Sequence, residues 1–208
     1  MARLNDRETR VRALSGAVFV VVVMAAIGWG PWSNAVLWAA VALLGLREGW
    51  RAQPESKAKV ALAVMPAAAA MGAWGWMAEP YDPWPVLAFV WMIWANDTGA
   101  YLVGKPLGKH KLWPRISPGK SWEGFIGGMA AAALVAGAVF GWEWSVMGAL
   151  IGALSTAGDL TESAWKRRLG LKDSGQLMPG HGGALDRFDG FLFAAPAYWA
   201  FMCIFAVA

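Results

Sequence analysis

Charged residues are scarce in this sequence of 208 residues. Lys, Arg, Asp and Glu make up only 15% of it, whereas hydrophobic residues make up 58% and include fifteen Trp. A soluble domain of this size could not bury so much apolar surface, so the composition predicts an integral membrane protein. Cysteine is nearly absent as well, because Cys203 stands alone in an apolar run. A disulfide framework is therefore excluded.

Every second connection between the apolar segments of the chain lacks Lys and Arg. All 18 Lys and Arg residues lie in the N-terminal tail or after the second, fourth and sixth apolar segments. This asymmetry predicts an all-α, polytopic transmembrane helix bundle of about seven spanning helices, with a cytoplasmic N-terminus and an outward C-terminus. The second and sixth segments are short for about 30 Å of hydrocarbon, so we expect them to extend into their flanks. The predicted segments are 14–28, 34–46, 60–77, 85–103, 125–140, 144–157 and 191–207.

Two large loops, 104–123 and 158–190, are placed on the cytoplasmic side by this topology. Both are rich in glycine and in basic residues. Such loops could simply hold the orientation and bind anionic lipid headgroups. Topology alone, however, does not require carboxylates inside or beside apolar segments. We therefore expect chemistry in these loops, within a single domain that covers residues 1–208.

Four carboxylates are placed by this topology at the inner membrane surface. Asp97 lies within the fourth segment, where an ionised side chain costs at least a few kcal/mol unless it is paired or faces water. A polar packing contact would also explain it. Asp159 closes the sixth segment, and Asp186 and Asp189 precede the seventh. Several acids close together repel one another unless cations intervene, and oxygen ligands suit Mg²⁺. The set predicts a magnesium site.

A charged helix face is expected where the sixth segment runs into its loop. If the helix continues, Asp159, Glu162, Ser163 and Lys166 follow one another at spacings that place them on a single face. A solvated amphipathic face would have the same pattern.

The run PGHGG at 179–183 predicts a phosphate contact, because glycine lets backbone N–H groups approach phosphate oxygens closely. A plain flexible turn is the alternative, and His181 alone does not decide between them. The sequence Gly119-Lys120-Ser121 resembles the end of a P-loop, but Pro114 stands where the first glycine is required, which argues against a Walker site. Basic side chains available to neutralise phosphate are Lys120, Lys166, Arg167, Lys172 and Arg187.

Taken together, these motifs resemble the signature of the phosphatidate cytidylyltransferase (CDP-diacylglycerol synthase) family. The residues that carry the resemblance are SAWKRR at 163–168, KDS at 172–174, PGHGG at 179–183 and DRFD at 186–189. NDTGAY at 96–101 and SPGKSWEG at 117–124 are similar to further motifs of the family. The resemblance thus covers residues 96–190, and the chain before them matches only in its hydrophobic character.

The resemblance implies transfer of the cytidylyl group of CTP to phosphatidate, giving CDP-diacylglycerol and pyrophosphate, with Mg²⁺ and a monovalent cation such as K⁺. It implies metal binding by Asp159 and Asp186 with Asp189 close by, and the position of Asp97 adds it to this set. We expect an active site on the cytoplasmic side of the bacterial inner membrane, a homodimer, and no nucleic-acid partner. The expected catalytic residues are Asp159, Asp186, Lys166 and Arg167. The expected substrate-binding residues are Ser117, Lys120, Ser163, Lys172, Asp173, His181, Gly182, Gly183 and Arg187.

Other functions remain open from the sequence. A related CTP-dependent lipid enzyme, such as a CDP-archaeol synthase or a polyprenol kinase, would use similar groups on another acceptor. An ion-coupled transporter could use the buried acids as an ion path. A structural membrane scaffold would tolerate Asp159→Asn and Asp186→Asn.

Overall fold

A computed structural model describes residues 6–74, 80–175 and 182–205 of the chain. It is mostly helical. The helices are α1 (Asp6–Trp29), α2 (Pro31–Ala52), α3 (Lys57–Ala73), α4 (Trp84–Leu107), α5 (Trp122–Phe140), α6 (Ser145–Arg168), α7 (Leu185–Phe188) and α8 (Phe191–Phe205), and the strands are β1 (Lys111–Trp113) and β2 (Ser117–Ser121). Single 3₁₀ turns, Pro54–Ser56 and Trp142–Trp144, precede α3 and α6.

Within the described residues, a helix covers each of the seven predicted apolar segments. The two short segments do extend into their flanks, because α2 has 22 residues and α6 has 24. By length and composition, α4 and α5 are candidate membrane spans, whereas α1, α3 and α8 contain shorter apolar stretches. Seven spans and their orientation stay a prediction.

The all-α prediction implied that the loop 104–123 contains no strands, but the structure has two strands there. β1 and β2 form a two-stranded antiparallel hairpin in which Lys111 faces Ser121 and Trp113 faces Ser117. Strands this short carry no detectable alternation of apolar and polar residues, so no periodic pattern in the sequence predicts them. β2 ends directly before the start of α5.

α4 is the central helix of the core. Its first two turns, from Pro85 to Val90, are buried throughout. Phe89 packs edge-on against Phe191 of α8, with ring centroids 5.3 Å apart. An aromatic contact of this kind adds to the burial of both rings. The first half of α4 is therefore packed in the apolar core, and its second half places Asn96 and Asp97 near the site.

Small residues let α4 and α5 approach each other closely. A Cβ on Gly128 would lie 2.6 Å from the side-chain oxygen of Asn96, and one on Gly99 would lie 2.7 Å from the carbonyl oxygen of Gly127. Backbones in membrane helices approach in this way where glycine and alanine replace larger side chains. The close contact fixes Asp97 relative to α5 and to the hairpin that precedes it.

Candidate active site

A cavity of about 530 Å³ lies between α4, the hairpin, the start of α5 and α6. Asp97, Lys120 and Asp159 line it, together with Gly119 and Ser121. The cavity thus brings together side chains from residues 96–101, 117–124 and the end of the sixth predicted segment. Three separate sequence motifs meet at one place.

Lys120 is positioned by the end of β2 and the beginning of α5. The buried hydroxyl of Ser121 caps α5 by accepting a hydrogen bond from the backbone N–H of Gly124, at 3.1 Å. A serine at this position satisfies one of the free N–H groups of the first turn. The preceding side chain, Lys120, is thereby held at the cavity wall.

Lys120 and Asp159 form an ion pair across the cavity, from Nζ to Oδ2. Ser163 donates a hydrogen bond to the other oxygen of Asp159, at 3.1 Å. The side chains of Lys120 and Asp159 are 27% and 32% exposed. A partly exposed pair of this kind contributes only about 0–1 kcal/mol, so a phosphate group could displace the carboxylate from Lys120 at low cost.

The predicted charged face of the sixth segment is confirmed, because α6 continues to Arg168. Lys166 lies buried between two acids, with its Nζ 2.5 Å from Glu162 Oε2 and 2.5 Å from Asp186 Oδ1. Burial raises the pKa of Glu162 to about 7, although Lys166 opposes the shift. Glu162 also lies within electrostatic range of both Asp159 and Asp186. Two of the four predicted metal ligands, Asp159 and Asp186, therefore lie near Glu162.

Asp186 organises the segment around it. Its Oδ2 accepts hydrogen bonds from Ser174 N and Oγ, both at 2.9 Å, and from Gly183 N at 2.7 Å, while Oδ1 accepts from Lys166. Burial opposes ionisation, but the bonds from Lys166 and Gly183 hold the pKa of Asp186 below its ordinary value. In this arrangement the N–H of Gly183 binds a protein carboxylate. The predicted contact of this N–H with phosphate stays a prediction.

Gly182 adopts a left-handed conformation with φ of 83°. A Cβ there would lie 2.6 Å from Asp186 Oδ2. Both the backbone conformation and the lack of space favour glycine at this position.

Glu48, on α2, is a site residue that the sequence analysis missed. Its carboxylate accepts hydrogen bonds from Ala184 N at 2.9 Å, Leu185 N at 3.0 Å and Ser174 Oγ at 3.2 Å. It therefore caps α7 and fastens the segment on both sides of residues 176–181 to α2. One signal was available, because Glu48 is the sole acid in the sequence of α2.

A second bond joins α2 to α6 nearby. Trp165 donates through Nε1 to Gln53 Oε1, at 2.8 Å. The end of α2 is therefore tied to both elements that carry Lys166 and Asp186.

Asp189 completes the acidic cluster. Burial, followed by the charges of Asp159 and Glu162, raises the pKa of Asp189 well above its ordinary value, and the charge of Asp97 acts in the same direction. α6 and the start of α8 meet closely here, since a Cβ on Gly158 would clash with the carbonyl oxygen of Asp189. The chain thus brings Asp189 within electrostatic range of Asp97, Asp159 and Glu162.

The acidic cluster fits a divalent cation in its chemistry but not in every contact. Its donors are oxygens, which suit Mg²⁺, and the buried Oε1 of Glu162 has no hydrogen-bond partner in the described part of the chain. Both oxygens of Asp186, however, are engaged by protein donors. Among the described residues, no three His, Cys, Asp or Glu side chains form a ready metal-binding group. The chemistry of the donors fits a cation, and the metal site stays a prediction.

Several predicted substrate-binding or catalytic residues lie away from the cavity wall. Arg167 is exposed and donates to the carbonyl oxygen of Leu171, at 3.0 Å. Lys172 and Asp173 are exposed in the segment after α6. Ser117 begins β2 at the far end from Lys120, and Arg187 is exposed on α7. His181 falls outside the described residues. The roles assigned to these residues stay predictions.

Comparison with known proteins gives a family for this arrangement. Residues 76–205 match the Cytidylyltransferase family. The chain is 49% identical over 113 residues to a protein of Staphylococcus aureus (strain COL) named phosphatidate cytidylyltransferase, a match that covers 50% of this chain and 44% of the relative. A protein of the same name from Brucella suis biovar 1 (strain 1330) is 46% identical over 135 residues, covering 62% of this chain and 50% of the relative.

The chain spans about half the length of the curated relatives it matches. The matched family region includes the cavity residues Asp97, Lys120 and Asp159, and the segment organised by Asp186. It also extends beyond half of the 208 residues. On these grounds, the chain belongs to the cytidylyltransferase family.

Proposed function

We propose that this protein transfers the cytidylyl group of CTP to phosphatidate, forming CDP-diacylglycerol and pyrophosphate. The observation that carries the proposal is the cavity in which Asp97, Lys120 and Asp159 meet. Its volume of about 530 Å³ falls in the range of small-ligand sites. The family of the chain and the names of its relatives supply the reaction class.

In the proposed reaction, a phosphate oxygen of phosphatidate attacks the α-phosphorus of CTP in line. The new P–O bond forms as the bond to the β-phosphate oxygen breaks, and pyrophosphate leaves. The nucleophile is already an anion, so no strong general base is required. Repulsion between two polyanions is the main obstacle, and positioning with charge neutralisation is the remedy.

Lys120 and Lys166 are the cations best placed for this task. Lys120 would exchange its weak pairing with Asp159 for a phosphate oxygen of CTP. Lys166 is buried between Glu162 and Asp186, so it keeps the segment after α6 in place. We assign Lys120 to phosphate binding and Lys166 to positioning of Asp186. Arg167, Lys172 and Arg187 remain further candidates for phosphate contacts.

The same proposal includes Mg²⁺, with oxygen ligands from Asp97, Asp159, Asp186 and Asp189 and with K⁺ as a second cation. Asp186, which is held in place by Lys166, Ser174 and Gly183, would be one of these ligands. When bound, the divalent cation supplies neutralisation of phosphate charge. The repulsion among Asp159, Glu162 and Asp189 supports this part of the proposal.

The seven-span topology is also proposed, with the active site at the cytoplasmic face of the bacterial inner membrane and with two copies forming a homodimer. The distribution of Lys and Arg supports the orientation. Trp29, Trp32, Trp84 and Trp142 are exposed at the predicted outer boundary, where an amphipathic ring is favourable. A cytoplasmic site also suits the substrates, since CTP comes from the cytosol and the lipid headgroup lies at the surface.

The test is an assay of the purified protein with radiolabelled CTP, Mg²⁺ and a series of lipid acceptors. We expect a labelled lipid product that depends on phosphatidate. A product formed with archaeal-type lipid or with a polyprenol, and none with phosphatidate, would refute the proposed acceptor. Cation flux into vesicles without CTP dependence would refute the reaction class.

A further inference from the structure

An apolar groove of about 570 Å³ runs between α1 and α2 and ends on α7. Leu14, Val18 and Val22 form the wall on α1, and Leu37 and Val41 form the wall on α2. The groove is separate from the cavity of the candidate site, since none of the residues that line it lines the cavity. Its extent along α1, from Leu14 to Val22, corresponds to about 12 Å at 1.5 Å per residue.

The groove also carries a positive charge. Arg187 lines it and is exposed. Arg187 follows Asp186 directly in the chain, and Asp186 accepts a hydrogen bond from Lys166 of α6. The short helix that lines the groove therefore also carries one of the acids of the candidate site.

The short helix that carries Arg187 is held firmly against both walls. The ring of Phe188 meets Phe19 of α1 and Trp38 of α2 edge-on, with centroids 5.7 Å apart in each case. The backbone at the start of α7 is bound by Glu48. The backbone that carries Arg187 is therefore fixed against α1 and α2, beside the apolar groove.

An apolar groove whose lining, among the residues with described side chains, includes the exposed cation Arg187 is complementary to a lipid with an anionic headgroup. A peptide would bring polar backbone groups into a channel that offers them no partners. A free nucleotide would leave the channel unfilled.

We propose that this groove holds the acyl chains of the phosphatidate acceptor, with the lipid phosphate at Arg187 facing the cavity. The inference rests on the proposed function and adds the place where the lipid substrate binds. The phosphate would then approach the nucleotide cavity from the membrane side, so the two substrates reach the acidic cluster by separate routes.

Two neighbouring alanines on α2 provide a matched test. Ala40 lines the groove and Ala39 does not, and both are exposed, so a tryptophan at either position should be tolerated by the fold. We expect Ala40→Trp to raise the KM for dioleoyl phosphatidate at least tenfold while leaving the KM for CTP unchanged. The Ala39→Trp variant should match the unmodified protein. Dihexanoyl phosphatidate, whose short chains fill little of the groove, should be used equally well by both variants.

Photo-crosslinking of the full chain with a phosphatidate that carries a diazirine in one acyl chain gives a readout that does not require turnover. Crosslinks on α1 and α2 that Ala40→Trp abolishes and Ala39→Trp retains support the groove, even if no product forms and the proposed reaction fails. Normal turnover with equal KM values in both variants overturns the groove and leaves the proposed reaction intact. Crosslinks confined to other helices also overturn the proposal that the groove binds lipid. Loss of a dimer in Ala40→Trp but not in Ala39→Trp overturns it too, because the groove would then be an interface between copies of the chain.

Discussion

Replacing Glu48 by alanine tests whether the candidate site depends on a helix outside the matched family region. The substitution removes the acceptor for the N–H groups of Ala184 and Leu185, whereas the hydroxyl of Ser174 loses its longer contact with Glu48 and keeps Asp186 Oδ2 as an acceptor. These donors lie on both sides of residues 176–181. We expect the variant protein to insert into the membrane and to keep its helices, while Ala184 and Leu185 lose their hydrogen bonds to α2.

The magnitude follows from the hydrogen bonds that are lost. A hydrogen bond to a charged group contributes about 1.5–3 kcal/mol, and the two backbone donors would become partly satisfied by water once the segment opens. A net loss of about 3 kcal/mol changes the ratio of closed to open segment by roughly a hundredfold, since about 1.4 kcal/mol corresponds to a factor of ten. Glu48→Gln keeps one oxygen acceptor but places an NH₂ group against an N–H donor. It should show an intermediate effect.

The assay is hydrogen exchange of the amides of Ala184 and Leu185, measured beside cytidylyl transfer on the same preparations. Exchange should accelerate by roughly one to two orders of magnitude in Glu48→Ala, and turnover should fall in parallel. Glu55→Gln is the control, because Glu55 is an exposed acid in the 3₁₀ turn that follows α2. Unchanged exchange at Ala184 and Leu185 in Glu48→Ala would refute the reasoning.

Further outcomes follow from the cavity and from the helix contacts. Lys120→Met should lower kcat/KM about a hundredfold or more, because a preorganised charge at the phosphates is lost. Lys109→Met, on the exposed loop, is the control, and its kcat/KM should stay within a few-fold of that of the unmodified protein. Equal rates for the two variants would show that Lys120 does not bind phosphate. Gly128→Leu should destabilise the α4–α5 contact by about 1–3 kcal/mol or more, measured as a lowered melting temperature in detergent, and an unchanged melting temperature would contradict the close approach to Asn96. Arg167→Ala should reduce turnover less than tenfold, because its guanidinium is bonded to the carbonyl of Leu171; a loss as large as that of Lys120→Met would show that Arg167 reaches the substrates during the reaction.

Much of the helical framework could be predicted from the sequence, because each helix except the four-residue α7 contains an apolar run bounded by charged or turn residues. The continuation of α6 past Asp159 was also predictable, since Glu162, Ser163 and Lys166 recur at helical spacing. The hairpin was missed because β1 has three residues and β2 contains proline and glycine, which suppress any strand signal.

The partners of the acids were harder to predict than their clustering. Charge and topology placed Asp159, Asp186 and Asp189 together, but not the backbone donors that saturate Asp186. Those donors depend on the path of the chain between Ser174 and Gly183, which no local pattern encodes. Glu48 lies 136 residues from Ala184, and a contact over that distance requires the tertiary fold.

The bond network of Glu48 also limits how far this protein can be shortened. A fragment that begins at residue 76 would keep every motif of the matched region and would lose α2. The start of α7 would then be left without its acceptor, and Trp165 without Gln53. We therefore expect that the matched region, grafted onto another membrane scaffold, would keep the arrangement of its site only if the graft also carried an acid in the place of Glu48.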